Sequence, residues 1–144
     1  MTQFVWRDEE FSVGVASLDE QHKGLFSAFM NLGQSIENVY DDKALGVMLN
    51  LLFIQMEGYV KTHLRYEELL LEKWSFPELE AHKQKHDLLE NELAAYKKCL
   101  DAAEDEQKKA IAQQISLFME RWLINHIQGD DRAYGPHLRK MGVV

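Results

Sequence analysis

The chain has 144 residues, of which 46% are hydrophobic and 28% charged, and its formal net charge is −8 at pH 7. This composition predicts one domain with a sizeable core and excludes a disordered chain, while the acidic balance argues against nucleic acid and anionic membranes as partners. No apolar run approaches the length of a membrane span, the first residues lack a secretory signal, and the single cysteine suits a reducing compartment, so we expect a cytoplasmic protein without membrane insertion.

The first two predicted helices are marked by polar residues placed ahead of apolar stripes. Ser17 and Glu20 form a capping-box pattern, which predicts that the first helix begins there. The second helix is predicted to begin near Asp41 or Asp42 and to run towards the sequence HLRYEE. In both stretches the apolar residues recur at steps of three and four, as in helices that face a core.

The third and fourth predicted helices occupy the second half of the chain. Pro77 opens the third helix, with Glu78 and Glu80 in its first turn, where acidic side chains interact favourably with the helix dipole. The fourth helix follows the acidic sequence AEDEQKK at 103–109, and Gly129 is interpreted as its C-terminal stop.

Short connections between these four helices predict that neighbours are antiparallel. The sequence therefore predicts an all-α fold, an up-down-up-down four-helix bundle in a single domain covering residues 1–144. Residues 1–16 are predicted to form an irregular N-terminal arm and residues 130–144 an irregular C-terminal arm.

Five of the six histidines continue the apolar stripes of their helices and lie near helix ends that meet at one end of an antiparallel bundle. They are His22 in the first helix, His63 in the second, His82 and His86 in the third and His126 in the fourth. A single buried histidine is more often a core residue with satisfied ring nitrogens than a metal ligand. Five that converge favour a shared metal centre, since one metal relieves the burial cost of several imidazoles.

Two carboxylates stand at positions that match these histidines. Glu67 lies four residues after His63 and therefore shares its helix face. Asp131 lies five residues after His126, just past Gly129, where the predicted end of the helix lets a short side chain fold back. The remaining polar candidates are predicted to be surface or structural residues: Asp19, Glu20, Glu68, Cys99, Asp130 and His137.

Five imidazoles and two carboxylates exceed the needs of one tetrahedral zinc ion. They suit two octahedral ions that share the carboxylates, with one coordination position left open. Ligation this rich in nitrogen indicates ferrous iron among the available metals.

Four motifs that contain the candidate ligands follow one another along the chain: DEQHK at 19–23, HLRYEE at 63–68, HKQKH at 82–86 and HIQGDD at 126–131. Together they resemble the signature of the hemerythrin family in its bacterial form. Each motif alone is a weak signal, but all four in this order and with these gaps are specific. The resemblance extends over nearly the whole chain.

The resemblance implies reversible binding of dioxygen, for oxygen storage, delivery or sensing, by a protein that is not an enzyme. It implies a cofactor of two non-heme iron ions bridged by an oxo or hydroxo group from solvent. By position in the motifs, one iron would be held by His82, His86 and His126 and the other by His22 and His63, with Glu67 and Asp131 bridging the two.

Leu123 is the candidate wall residue of the oxygen pocket, because it lies three residues before His126 on the same helix face. The same spacing is typical of an ordinary core leucine, so both interpretations remain open. The expected partners are dioxygen and, as a further candidate, a separate protein that receives the oxygen.

Two other functions are compatible with a di-iron bundle. One is an oxidase or ferroxidase, although such enzymes use about four glutamates and two histidines with Glu-x-x-His on two helices, and that pattern does not occur in this sequence. The other is an iron or redox sensor that acts through a protein partner.

Overall fold

The computed structural model describes residues 4–144, and all secondary structure in that range is helical. The elements in chain order are α1 (Asp8–Phe11), α2 (Ala16–Asn38), α3 (Asp42–Lys73), α4 (Leu79–Ala102), α5 (Asp105–Asn125), a π-helical segment (His126–Asp131) and α6 (Arg132–Lys140).

Helices α2 to α5 form the predicted antiparallel four-helix bundle, so the all-α prediction is confirmed. Connections of only a few residues join them, and helices joined so closely must reverse direction. The core runs along the bundle axis and is built mainly of leucine, phenylalanine and isoleucine from all four helices. No helix among residues 4–144 combines the length and the apolar character that crossing a lipid bilayer requires.

The start of α3 agrees with its predicted cap. The Asp41 carboxylate accepts hydrogen bonds from the backbone N–H groups of Lys43 at 2.9 Å and Ala44 at 3.3 Å, which satisfies two donors left free by the first turn. Helix α4 begins at Leu79, with Glu78 as its cap residue, so Pro77 lies just before the helix rather than inside its first turn.

The predicted capping box at Ser17 is wrong. Helix α2 begins at Ala16 without a side-chain cap. Asp19, predicted to be a surface residue, is half-buried and turns back to the arm, where its carboxylate accepts from the Val13 N–H at 2.9 Å and from the Ser12 hydroxyl at 2.6 Å. This acid therefore fixes the N-terminal arm against the bundle instead of capping the helix.

The predicted C-terminal stop at Gly129 is also wrong, and residues 130–144 are not an irregular arm. Gly129 keeps a negative φ inside the π-helical segment, and the chain continues into α6. The positive φ expected of a glycine that ends a helix occurs at Gly142, where φ is 83°. Tyr134 and Leu138, one turn apart on α6, are fully buried, and this packing stabilises a helix that the glycine signal alone did not predict.

Candidate metal centre

All seven side chains predicted to be metal ligands come together at one end of the bundle, and none is more than 4% exposed. Helix α2 supplies His22, α3 supplies His63 and Glu67, α4 supplies His82 and His86, and the π-helical segment supplies His126 and Asp131. His63 and Glu67, and likewise His82 and His86, are four residues apart in an α-helix, the spacing that places two side chains on one face.

The π-helical segment explains how His126 and Asp131 reach the same cluster. Residues five apart in an α-helix point in different directions, whereas the wider turn of a π-helix, with its i→i+5 hydrogen bonds, brings residue i+5 closer to the face of residue i. Nε2 of His126 lies 2.9 Å from Oδ1 of Asp131. The expectation that Asp131 folds back after the chain has left the helix is therefore corrected, because the helix widens instead of ending.

The donor atoms form two groups, and within each group they all lie within 4.8 Å of one another. The three-histidine group consists of Glu67, His82, His86, His126 and Asp131, and the two-histidine group consists of His22, His63, Glu67 and Asp131. The carboxylates belong to both groups. This is the grouping that the sequence resemblance implied; that these side chains bind metal stays a prediction.

Glu67 presents a different oxygen to each group. Its Oε1 lies 2.6 Å from Nε2 of His82 and 3.2 Å from Nε2 of His86. Its Oε2 faces the other group, at 3.4 Å from Nε2 of His63 and 3.6 Å from Nε2 of His22.

Asp131 divides its oxygens in the same way. Oδ1 lies 2.9 Å from Nε2 of His126 and 3.2 Å from Nε2 of His82, while Oδ2 lies 3.2 Å from Nε2 of His22. Two carboxylates that each direct one oxygen to either group have the arrangement needed to bridge a pair of cations.

Three of the histidines have acceptors on the outer side of the ring. The Nδ1 contacts are His63 to Oε1 of Gln21 at 2.7 Å, His86 to Oε1 of Glu68 at 2.9 Å and His126 to Oδ2 of Asp130 at 3.0 Å. Since these oxygens can only accept, each Nδ1 carries the hydrogen, and in the neutral ring Nε2 then directs its lone pair into the cluster. Acceptors in this position are what orient metal-binding histidines.

The inner face of the cluster fits metal ions better than it fits hydrogen bonds among its own members. Nε2 of His86 and Nε2 of His126 lie 3.1 Å apart, so two lone pairs meet unless a proton or a cation lies between them. Within residues 4–144, both ring nitrogens of His22 and both oxygens of Asp131 are buried without a hydrogen bond of suitable geometry, although Nε2 of His22 and Nε2 of His126 lie 3.2 and 2.9 Å from the two Asp131 oxygens. Buried polar atoms rarely stay unsatisfied, and ligation by cations would satisfy them.

The two carboxylates make the cluster strongly attractive to positive charge. Burial by itself raises the pKa values of Glu67 and Asp131, but the surrounding histidines outweigh it and hold both below their usual range. Burial by itself lowers the pKa of His22 and His82, but the same carboxylates raise them to about 9 and about 10. Without a metal, protons on these rings would balance the buried negative charge.

Binding of a divalent metal is therefore expected to release protons near neutral pH. His22 and His82 hold protons at pH 7 when the metal is absent, because their pKa values lie above 7, and each must lose its proton to ligate. The metal affinity should accordingly rise as the pH is raised from 6 to 8. Calorimetric titrations in buffers of different ionisation enthalpy measure the released protons directly; an enthalpy independent of the buffer would contradict the prediction.

Four residues beside the cluster were missed or misassigned from the sequence. Glu68 and Asp130, predicted to be surface residues, are half-buried and hold His86 and His126, as described above. Gln21, whose amide oxygen contacts Nδ1 of His63, was not predicted from the sequence to belong to the site. The i,i+4 spacing of His126 and Asp130 was a usable signal, whereas nothing in the sequence pairs Glu68 with a histidine on another helix.

Tyr134 is the fourth missed residue and comes from the region predicted to be irregular. Its side chain is fully buried, and its hydroxyl donates to Oε2 of Glu67 at 2.8 Å. His137, predicted to be solvent-exposed, is half-buried, and its Nε2 lies 2.7 Å from the carbonyl oxygen of Trp74. Helix α6 thus closes this end of the bundle and contacts the shared glutamate.

Replacing Tyr134 with phenylalanine is expected to loosen Glu67 without removing it. The variant loses a hydrogen bond to a carboxylate, worth about 1.5–3 kcal/mol, while the ring still fills its site. Metal affinity should fall by about 10- to 100-fold, the usual effect of losing a group that orients a ligand. Competition with a chelator measures it, and Tyr66→Phe, at an exposed tyrosine that donates to Ser17, is the matched control. Equal affinities for the two variants would contradict the prediction.

Leu123 lies on α5, 1% exposed, in the hydrophobic core. This position is compatible with both interpretations left open by the sequence. A contact between Leu123 and an open coordination position stays a prediction.

Four antiparallel helices enclose five histidines and two shared carboxylates. This arrangement places the chain in the class of helical-bundle proteins with a candidate dinuclear metal site. Residues 13–138 match the family model of the hemerythrin HHE cation binding domain. The chain belongs to the hemerythrin family.

Relatives in two comparisons agree with this assignment. The chain is 31% identical to a bacteriohemerythrin of Methylococcus capsulatus, in a match covering 96% of this chain and 98% of the relative. It is 28% identical to a bacteriohemerythrin of Stenotrophomonas maltophilia, with 96% of this chain and 84% of the relative covered. A crystal structure of wild-type hemerythrin superimposes with a TM-score of 0.80 at 29% identity, covering 95% of this chain and 98% of that chain.

Proposed function

We propose that the chain, acting as one domain over residues 1–144, binds dioxygen reversibly at a non-heme di-iron centre. The seven clustered side chains would hold the irons: His82, His86 and His126 one, His22 and His63 the other, with Glu67 and Asp131 shared. The observation that carries the proposal is the division of both carboxylates between two unequal groups of histidines.

The inequality of the groups supports binding of a small ligand at one ion only. The three-histidine group offers five donor residues and the two-histidine group offers four. With one further donor from solvent, the three-histidine group would offer about six donors, the number an octahedral ion takes, and the two-histidine group would offer one fewer. The open position would lie beside His22 and His63, where dioxygen would bind.

The chain itself supplies a dry and rigid surrounding for this chemistry. When bound, the iron pair supplies a redox-active centre that can take up dioxygen. The protein excludes water from it, since every proposed ligand is buried, and the outer contacts of the histidines keep their rings oriented. Leu123 is proposed to contribute to the apolar wall of the oxygen pocket.

The donor set favours this function over a di-iron oxidase or ferroxidase. Such enzymes hold their metals with about four glutamates and two histidines. The cluster described here has five histidines and two carboxylates, and the hemerythrin family consists mainly of oxygen-binding proteins rather than enzymes.

The test is an anaerobic iron-loaded sample whose optical spectrum is followed while oxygen is admitted and then purged with inert gas. The proposal expects two irons per chain and a spectrum that changes with oxygen and returns on purging, over repeated cycles. Irreversible oxidation by one equivalent of oxygen, with release of peroxide or turnover of a substrate, would instead identify an enzyme. A spectrum that ignores oxygen although two irons are bound would overturn the proposal.

A further inference from the structure

The outer contacts of the cluster histidines differ between the two groups in electrical charge. In the three-histidine group, His86 and His126 are each held by a carboxylate, from Glu68 and Asp130. In the two-histidine group, His63 is held by the neutral amide oxygen of Gln21. The outer nitrogen of His22, Nδ1, has no hydrogen-bond partner within the described part of the chain.

A carboxylate behind an imidazole makes the ring a stronger metal ligand than a neutral amide does. The hydrogen bond from Nδ1–H to an anion is charge-assisted, and it increases the electron density that Nε2 offers to a cation. The carboxylates of Glu68 and Asp130 therefore make two imidazoles of the three-histidine group stronger metal ligands. This adds to the one extra imidazole that the group already has.

Nearby cations weaken this difference without removing it. Arg65 lies 3.8 Å from Glu68, and Lys85 pairs with Asp130. Both basic side chains are at least half exposed, so their charges are largely screened by water. The carboxylates are half-buried and touch the rings directly, so their effect on the imidazoles dominates.

We propose that the two metal positions differ in affinity because of these outer contacts: the three-histidine position retains its metal, the two-histidine position exchanges it, and Gln21 keeps the latter weak. The inference rests on the proposed metal centre and adds an order of filling and the residues that set it. The exchangeable ion is then the one beside the open coordination position, so loss of one metal would abolish ligand binding while leaving the bundle cross-linked.

The experiment removes metal from the full chain in steps. The chain is loaded with Zn²⁺, which has no redox chemistry, and titrated with a chelator at constant pH. Native mass spectrometry counts the metals on each chain, and NMR of the imidazole ¹⁵N nuclei reports which rings remain ligated. We expect a long-lived species with one zinc in which the rings of His82, His86 and His126 remain bound and those of His22 and His63 are free.

Two substitutions test whether the outer contacts cause the difference. Gln21→Glu places a carboxylate behind His63 and should tighten the weaker position about 10-fold, while Glu68→Gln should weaken the tighter one about 10-fold, the lower end of the usual effect of such partners. Asp87→Asn is the matched control, because Asp87 is exposed next to His86 in the chain and its loss removes the same charge.

The possible results separate this inference from the proposed function. Failure of the chain to bind two metals would overturn the metal centre and the inference with it. The inference alone would be overturned if both zinc ions leave together. It would also be overturned if each position loses its zinc with equal probability, so that the chains with one zinc are a statistical mixture of the two positions. A zinc ion retained by His22 and His63, or equal behaviour of Glu68→Gln and Asp87→Asn, would overturn it as well.

Discussion

Replacing Glu67 with alanine is expected to abolish retention of the metal pair. Glu67 is fully buried and gives one oxygen to each group of histidines, so its loss removes a donor and a negative charge from both metal positions at once. Four histidines and Tyr134 lose their contact with the same carboxylate. We expect the iron content after chelator treatment to fall from two per chain to well below one.

The measurement is iron per folded chain after gel filtration in the presence of a chelator. Glu72→Ala is the matched control, since Glu72 is an exposed glutamate on the same helix and should keep its parent's iron content. Glu67→Gln separates charge from volume, because it keeps the side-chain size and one acceptor oxygen but cannot bridge as an anion. Retention of two irons by Glu67→Ala, with normal oxygen binding, would show that Glu67 is not a ligand.

The same substitution should also destabilise the bundle itself. Removing one partner from a buried charge cluster typically costs about 3–5 kcal/mol, because the remaining charges lose their compensation. In the metal-free chain, raised pKa values indicate that His22 and His82 carry protons at neutral pH, and Glu67 is one of the two anions that face them. Urea unfolding of metal-free Glu67→Ala and of its parent measures this cost separately from the loss of iron.

The convergence of the site could be predicted from the sequence because it depends on regular geometry. His63 and Glu67, like His82 and His86, are four residues apart, and that spacing fixes a shared helix face wherever the helix lies. Antiparallel packing then brings the start of one helix beside the end of the next. These two rules suffice to gather side chains of four helices at one end of the bundle.

The parts that the sequence did not predict depend on packing rather than on local pattern. Gly129 has the residue type of a helix stop, but burial of Tyr134 and Leu138 keeps the chain helical beyond it. The contact of Glu68 with His86 joins different helices, and its existence depends on how the helices are rotated against each other. The spacing of residues along the sequence does not determine how two helices are rotated against each other.

Replacing Leu123 with asparagine is expected to make the iron-loaded protein oxidise irreversibly in air much faster than its parent. Leu123 is 1% exposed and lies one turn before His126 on α5. An apolar pocket wall would keep water and proton donors away from the iron pair, and access of either would favour irreversible oxidation of the metals. An amide in that wall can donate a hydrogen bond and attract water. If Leu123 lies in the wall, the rate of permanent oxidation should rise by at least about 10-fold, which corresponds to about 1.4 kcal/mol in the barrier.

The competing interpretation, that Leu123 only fills the core, predicts a different pair of results. A buried asparagine in place of leucine costs a few kcal/mol of stability wherever it stands, because it creates both a cavity and an unsatisfied polar group. Ile115→Asn is the matched control: Ile115 is 2% exposed on the same helix and lies about 12 Å further from His126 along the axis, at 1.5 Å per residue. Both variants should unfold at lower temperature than the parent. If Leu123 only fills the core, neither variant should oxidise faster than the parent; if it lies in the pocket wall, only Leu123→Asn should oxidise faster, at a temperature well below unfolding and with matched iron content. Equal oxidation rates for the two variants would place Leu123 in the core and outside the oxygen pocket.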